Sequence, residues 1–297
     1  MKSGLILLHK REGITSQRAV NEIKRLFGVS AAGHTGTLDP MATGVLPILI
    51  GRAVKASEYL ICQDKHYRAV LRLGVTSDTE DAFGTLTPTG AALPSEAEVV
   101  RTAESFVGTI QQTPPMYSAI KIGGQKLMDL ARRGIELQRP AREITVFSLG
   151  CQRLSDTDYA LDVHCSKGTY IRTLCADIGK ALGCGAVMAA LCRTEAVGFP
   201  LERCYSVEDL QAMSEEERAR CLLPTEELFP TWQRLTLPPF FARLARSGVE
   251  IYLKKIRYSG EVGTRVRLYD ERGFFAVGEI RLFDGEPAIK PIKQFDI

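Results

Sequence analysis

Apolar residues recur along this chain at two spacings, and the switches between them mark out its elements. Leu5 to Leu8 is a short apolar run that reads as a strand, followed by a turn near Gly13. Thr15 and Ser16 then stand where helix caps do. Ahead of them Val20, Ile23, Leu26 and Phe27 fall at helical intervals, with Gly28 as the stop. Val45 to Ile50 is an apolar run that belongs in a core, and Ala53 to Ile61 reads as a helix. Tyr67 to Leu73 alternates Arg68, Val70 and Arg72 against Ala69, Leu71 and Leu73, the two-residue period of a half-buried strand. Gly74 to Pro94 carries the Thr, Gly, Asp and Pro of a loop with short extended pieces.

Further on, Pro94 and Ser95 open a predicted helix that runs to Phe106. Strands are expected at Glu143 to Leu149, Ala160 to Cys165 and Ala186 to Leu191. Between the last two, Ile171, Leu174, Cys175, Ile178 and Leu182 give a helix beginning near Thr169. The pattern changes after Leu223 and Pro224, and again over residues 231–239, which read as a proline-bearing linker. From Phe240 short strands alternate with turns at Ser259 and Gly260, at 270–273, and at Asp284 and Gly285, as in a small β-rich domain. The expected class is α/β in the mixed α+β sense.

Composition sharpens this only in places. A chain of 297 residues with 45% hydrophobic and 25% charged positions has room for a sizeable core. Its net charge of +3 is too small to name a partner, so local clusters decide. Residues 110–142 supply one: Lys121, Lys126, Arg132, Arg133, Arg139 and Arg142 stand against Asp129 and Glu136. The first apolar run is shorter than a secretory signal and no segment reaches membrane-span length, which points to the cytoplasm. Eight cysteines without a Cys-x-x-Cys pair read as free core thiols. Zinc on His164 and Cys165 is the sharper alternative, but paired ligand spacing is missing.

Candidate chemistry centres on Gly33 to Leu46, where Asp39 sits before Pro40 among Gly33, Gly36 and Gly44. Pro40 biases Asp39 toward extended backbone, and the glycines allow a ligand close approach. A lone carboxylate suits nucleophilic or single-base work, whereas an ordinary Asp-Pro caps a turn. Lys65, His66, Tyr67 and Arg68 place an aromatic amid cations, which suits a stacked base and its phosphates, with a core tyrosine as the plainer reading. Arg172 falls in the first turn of its helix, where a cation opposes the helix dipole. A nearby anion would resolve that mismatch, and Asp39 is the candidate.

Five blocks together carry a resemblance: Gly33 to Leu46, Lys65 to Arg68, Ser77 to Gly84, Pro115 to Ala119, and His164 to Thr173. In this order, over most of residues 5–200, the chain resembles the bacterial tRNA pseudouridine-55 synthases, the TruB family. The later part is more weakly similar to that family's small PUA-like RNA-binding domain. The resemblance implies a catalytic domain over 1–230 built on a largely antiparallel mixed sheet, an RNA-binding insertion at about 110–142, and a PUA-like domain over 238–297.

It also implies an enzyme that detaches uracil from ribose, rotates it and rejoins it through C5, with no cofactor and no metal. By resemblance Asp39 is the nucleophile, its attack on ribose C1′, on C6, or an elimination to a glycal being left open. Tyr67 stacks on the target base and serves in C5 deprotonation, and Arg172 pairs with the carboxylate. Tyr170 and Leu191 line the pocket, and His34 fills the space vacated by the flipped nucleotide. The implied partner is the T arm and loop of tRNA, with no membrane and no obligate protein partner. Lys10-Arg11-Glu12-Gly13, where the family usually has Lys-Pro-x-Gly, departs from the pattern, as do Val54, Phe83 and Met128. A non-catalytic protein that binds or folds tRNA is the reading from a different class; a nucleotidyl transferase would need a glycine-rich phosphate loop ending in Lys and Ser or Thr, which is missing.

Overall fold

The computed structural model describes residues 3–60, 64–118 and 120–295. Ile61, Cys62 and Ala119, assigned above to a helix, the core and a motif, lie outside the described residues, as do the side chains of Lys121 and Lys126. In chain order the main strands are β1 (Gly4–Lys10), β2 (Ala32–His34), β3 (Thr43–Ile50), β4 (Lys65–Leu73), β5 (Val75–Ser77), β6 (Leu86–Pro88), β7 (Gly108–Gln112), β8 (Arg142–Arg153), β9 (Asp158–Cys165), β10 (Ala186–Ala196) and β11 (Phe199–Pro200). Beyond these come β12 (Gln233–Thr236), β13 (Ile251–Tyr252), β14 (Arg265–Asp270), β15 (Gly273–Phe283) and β16 (Glu286–Gln294). The longer helices are α1 (Ser16–Phe27), α2 (Glu96–Glu104), α3 (Ile171–Ala181) and α4 (Pro239–Arg246).

Among the described residues, a nine-stranded sheet runs β1-β3-β10-β4-β9-β8-β7, with β2 on β3 and β11 on β10. Its pairings are antiparallel except β10 with β3, where Cys192 faces Thr43 and Arg193 faces Gly44. That parallel contact is short and tight. A Cβ on Gly44 would lie 2.2 Å from the Arg193 carbonyl oxygen, and its φ is +105°, so glycine is required there.

The sheet packs α1, α2 and α3 on one face through Val20, Ile23, Val99, Leu174 and Ile178. Each such side chain contributes roughly 1.5–3 kcal/mol on leaving water. On the other face, Leu5, Leu7, Val45 and Leu49 pack against Phe229, against Val277 of a second sheet and against Phe295, which follows β16. That sheet runs β12-β14-β15-β16-β13 and has its own core of Val266, Leu268, Phe275 and Ile289. Caps set α1 as its sequence foretells: Thr15 Oγ1 accepts from the Arg18 amide, and Gly28 closes the helix in the left-handed region.

Several boundaries differ from expectation. Residues 231–239 are not simply a linker, because Gln233–Thr236 pairs in parallel with Arg265–Asp270 as an edge strand. Phe240 lies in helix α4, started by Pro239 at its first turn, and not in a strand. The expected helix over 53–61 is a 3-10 segment, Gly51–Ala56, followed by the single turn Ser57–Leu60. The seven described cysteines are free thiols. His164 and Cys165 are successive strand residues and so face opposite sides of the sheet: Cys165 is buried, while the His164 ring stacks on His66 at 3.9 Å. No helix among the described residues is long and apolar enough to cross a membrane.

Candidate active site

Asp39 lies on the connection between β2 and β3, and the chain around it is fastened from below. The Ser16 hydroxyl clamps Leu38 from both sides, accepting from its amide at 2.8 Å and donating to its carbonyl at 2.9 Å. The Ala42 amide donates back to the Asp39 carbonyl at 3.0 Å. Lys10, wholly buried, donates from Nζ to the carbonyls of Arg11, Pro40 and Ala42 at 2.9, 3.1 and 2.7 Å. Burial pulls its ammonium down to about 8, while Asp39 nearby opposes that shift. The loop backbone is therefore held rigidly under a carboxylate that keeps 36% of its side-chain surface open.

Arg172, 5% exposed at the start of α3, meets that carboxylate at 3.0 Å through Nε. Its remaining nitrogens tie two other segments to the same point. One terminal nitrogen donates to the Thr79 carbonyl at 3.1 Å and approaches Asp81 at 3.4 Å; the other donates to the Tyr117 carbonyl at 2.8 Å. Asp81 is fixed in turn, accepting from Thr79 Oγ1 at 2.7 Å and from the Phe83 amide at 3.0 Å. The Asp39 carboxyl is raised above its ordinary value, first by burial, against the pull of Arg172 and with Asp81 adding to the rise.

Tyr67 points into the helix-covered face of β4 beside Leu191, with Arg193 of β10 as its cross-strand partner. Burial raises its phenol, and the charge and hydrogen bond of Arg193 oppose the rise. Arg68, one residue on, lies across the sheet from it and pairs with Asp162 at 2.9 Å. The strand thus separates the aromatic from the cation that sequence placed beside it. The backbone of Tyr170 is gripped at both ends by Gln112, whose side chain accepts from the Tyr170 amide at 2.8 Å and donates to its carbonyl at 3.0 Å. Its phenol is raised chiefly by burial, with Asp39 adding to the rise.

His34 accepts the Gly36 amide on Nδ1 at 3.3 Å, which leaves its proton on Nε2. Burial and Arg193 lower its basicity, so it is neutral near pH 7. Of the expected site residues, Asp39, Arg172, Tyr67 and Tyr170 thus converge, with His34 and Leu191 at the margins.

Three further residues belong to this arrangement: Asp81, Lys10 and Arg193. Asp81 lies in a motif block, and the turn around it has no room at Gly84, where a Cβ would sit 2.2 Å from Asp78 Oδ1. Lys10 is in phase with the buried Leu8 and Ile6 of β1, a lysine on the inward face of a strand. That phase was the available signal. The insertion carries its own small core of Met116, Leu127 and Leu130. Its exposed Arg132 and its Arg139 pair with Asp129 and Glu136 at 3.8 and 3.5 Å, contacts too weak to consume their charge.

Residues 24–171 match the model of the TruB family pseudouridylate synthase N-terminal domain, and residues 172–230 that of the tRNA pseudouridylate synthase B C-terminal domain. A tRNA pseudouridine synthase B of Pectobacterium atrosepticum is 39% identical over 298 residues, covering 97% of this chain and 93% of that one. One from Clostridium tetani is 40% identical, covering 93% and 95%. Among solved structures, the chain is similar to one described as a Cbf5-Nop10-Gar1 complex, with a TM-score of 0.75 and 25% identity over 99% of this chain and 85% of that one.

Proposed function

The chain belongs to the TruB family of pseudouridylate synthases, and from that premise we propose that it isomerises the uridine at position 55 in the T loop of tRNA. The fold is that of a pseudouridine synthase and the activity is tRNA uridine to pseudouridine. The observation that carries the finer reading is the Asp39–Arg172 pair, with a buried arginine holding a carboxylate whose outer face is open.

A uridine within a folded loop hides both C1′ and C5, so it must be flipped out, at a cost of a few kcal/mol. Stacking on Tyr67 offsets that cost, and His34 fills the vacated space. Asp39, kept ionised by Arg172 and Lys10, is the nucleophile. Asp39 bonds to the nucleoside, the N1–C1′ bond breaks, the uracil turns, and a C5–C1′ bond forms, the bond to Asp39 breaking again so that the carboxylate is released. Tyr67 then takes the C5 proton while N1 gains one, so substrate and product have the same atoms. Tyr170 and Leu191 close the sides of the pocket.

Residues 1–230 are the catalytic part in this reading, with the insertion at about 110–142 and residues 238–297 holding the T arm by its backbone and shape. That backbone contact makes affinity fall as salt rises. The working compartment is the cytoplasm, where tRNA is processed, and the chain acts on tRNA without an obligate protein partner.

The site of reaction is read by carbodiimide labelling and primer extension on an unmodified tRNA transcript. The expected result is one stop, at position 55, which disappears when that uridine is replaced by cytidine. A stop elsewhere with position 55 untouched would overturn the assignment.

A further inference from the structure

Arg193 is 1% exposed, and its guanidinium makes no ion pair with a carboxylate among the described residues. An arginine cannot shed its proton, so a buried one demands compensation from what surrounds it. Nε donates to the Val45 carbonyl at 2.7 Å and a terminal nitrogen to the Gly36 carbonyl at 3.2 Å. These two residues bracket Asp39 in the chain, so one side chain staples both ends of its loop. The remaining polar neighbour is the phenol of Tyr67, the cross-strand partner of Arg193.

The charges and titratable groups around Arg193 are Lys10, His34, Lys65, Cys204 and Tyr67. Lys10 and Lys65 are further cations. His34 is neutral, and burial pushes the Cys204 thiol up to about 12. Asp39 is served by Arg172 and Lys10 instead. Tyr67 also faces Cys165, whose thiol burial pushes up to about 11, and Asp39, whose negative charge disfavours a phenolate. The phenol of Tyr67 is thus the group that Arg193 both faces across the strand pair and can stabilise as an anion beside the reaction.

We propose that Arg193 is the positioning residue for Tyr67, holding its phenol oxygen and supplying the positive charge under which the phenolate forms and accepts the C5 proton. A neutral phenol has no useful basicity, so proton removal at C5 needs the ionised form. The C5–H bond breaks and its electron pair restores the C5–C6 double bond as the C6–N1 double-bond pair moves onto N1, which takes a proton, while the C5 proton moves to the Tyr67 oxygen and from there to solvent. The site then holds two oxygen acids, each with its own buried arginine: Asp39 with Arg172 for bond formation, Tyr67 with Arg193 for deprotonation. The inference rests on the assignment of the C5 proton to Tyr67.

The test uses the full chain labelled with 3,5-difluorotyrosine, which lowers the phenol's ionisation into a workable range, with the Tyr67 fluorine resonance assigned by its loss in Tyr67→Phe. In Arg193→Met the Tyr67 titration midpoint is expected to rise by at least about one pH unit, with a smaller rise in Arg193→Lys, which keeps the charge. On unlabelled protein, kcat falls at least about tenfold in Arg193→Met, with KM within about twofold, and Arg193→Lys recovers part of the loss. An unchanged midpoint in either folded variant, or a rise in KM with kcat preserved, overturns the inference; if Arg193→Met does not fold, Arg193→Lys decides. Normal turnover by Tyr67→Phe would instead remove the base assignment itself, whatever the Arg193 variants do to the titration.

Discussion

Two arginine–aspartate pairs in this molecule look alike and are built to opposite ends. In the second sheet Arg246 donates twice to Asp270, at 2.9 and 2.8 Å, the Arg272 amide donates a third bond at 2.9 Å, and the carboxylate is 9% exposed. Burial works against the anion there, yet those donors overcome it and hold Asp270 below the usual carboxylate range. At the candidate active site Asp39 receives only Nε of Arg172, because the other nitrogens serve Thr79, Asp81 and Tyr117. Burial outweighs that one contact, so its carboxyl is raised, and its outer face is open. A carboxylate held by two nitrogens of its arginine and by a backbone amide is a structural fixture. One that shares its arginine with a second acid and two carbonyls keeps lone pairs free for a substrate.

The largest expected effect comes from Arg172→Met. It strands Asp39, Asp81 and two carbonyls, so turnover should be lost and unfolding free energy should drop by about 3–5 kcal/mol, read by urea denaturation. Full activity in that variant would break the comparison. Asp81→Asn removes the competing acid and one anchor of Arg172, with kcat expected to fall about 10- to 100-fold. Because Asp81 raises the Asp39 carboxyl, the acid limb of the kcat profile should also move to lower pH in this variant; an upward move would reverse the roles given to the two acids.

Asp270→Asn should do the converse, costing about 2 kcal/mol of stability at neutral pH while folded protein keeps its turnover. The folded value of Asp270 is depressed, so its contribution is present above the unfolded value and lost as pH falls through the folded one. The stability gap between variant and wild type therefore closes on acidification. The last effect concerns Lys10 and is read at alkaline pH. Its ammonium is lowered to about 8, so between pH 8 and its ordinary value of 10.5 the unfolded chain binds more protons and stability rises with pH. Lys10→Met should abolish that rise, of about 3 kcal/mol over the whole window, in denaturation curves taken across it.

How far the site was legible follows from how far apart its parts are. Asp39 announces itself through Pro40 and three glycines, and Arg172 through a charge set against its own helix dipole, both local signals. Arg193 and Lys10 are cations in otherwise apolar strands. Sequence periodicity puts them inside but cannot say what they meet there, since Val45 is 148 positions from Arg193. Asp81 was within a motif block, yet its contact to Arg172 spans 91 positions.

The β-rich end shows the same limit in the fold. Gln233–Thr236 reads as linker because prolines follow it, and becomes a strand only through parallel pairing with Arg265–Asp270. Helix α4 was readable, since Phe241, Leu244 and Ala245 lie at helical spacing behind a helix-starting proline. The strand-like surroundings obscured it.

Whether Asp39 performs the chemistry or only holds the loop is read by tritium release from tRNA transcripts labelled at uridine C5. Wild-type chain should release tritium, and Asp39→Asn should release none while binding the same tRNA with comparable affinity and melting as a folded protein. Release by Asp39→Asn at the wild-type rate would contradict the account.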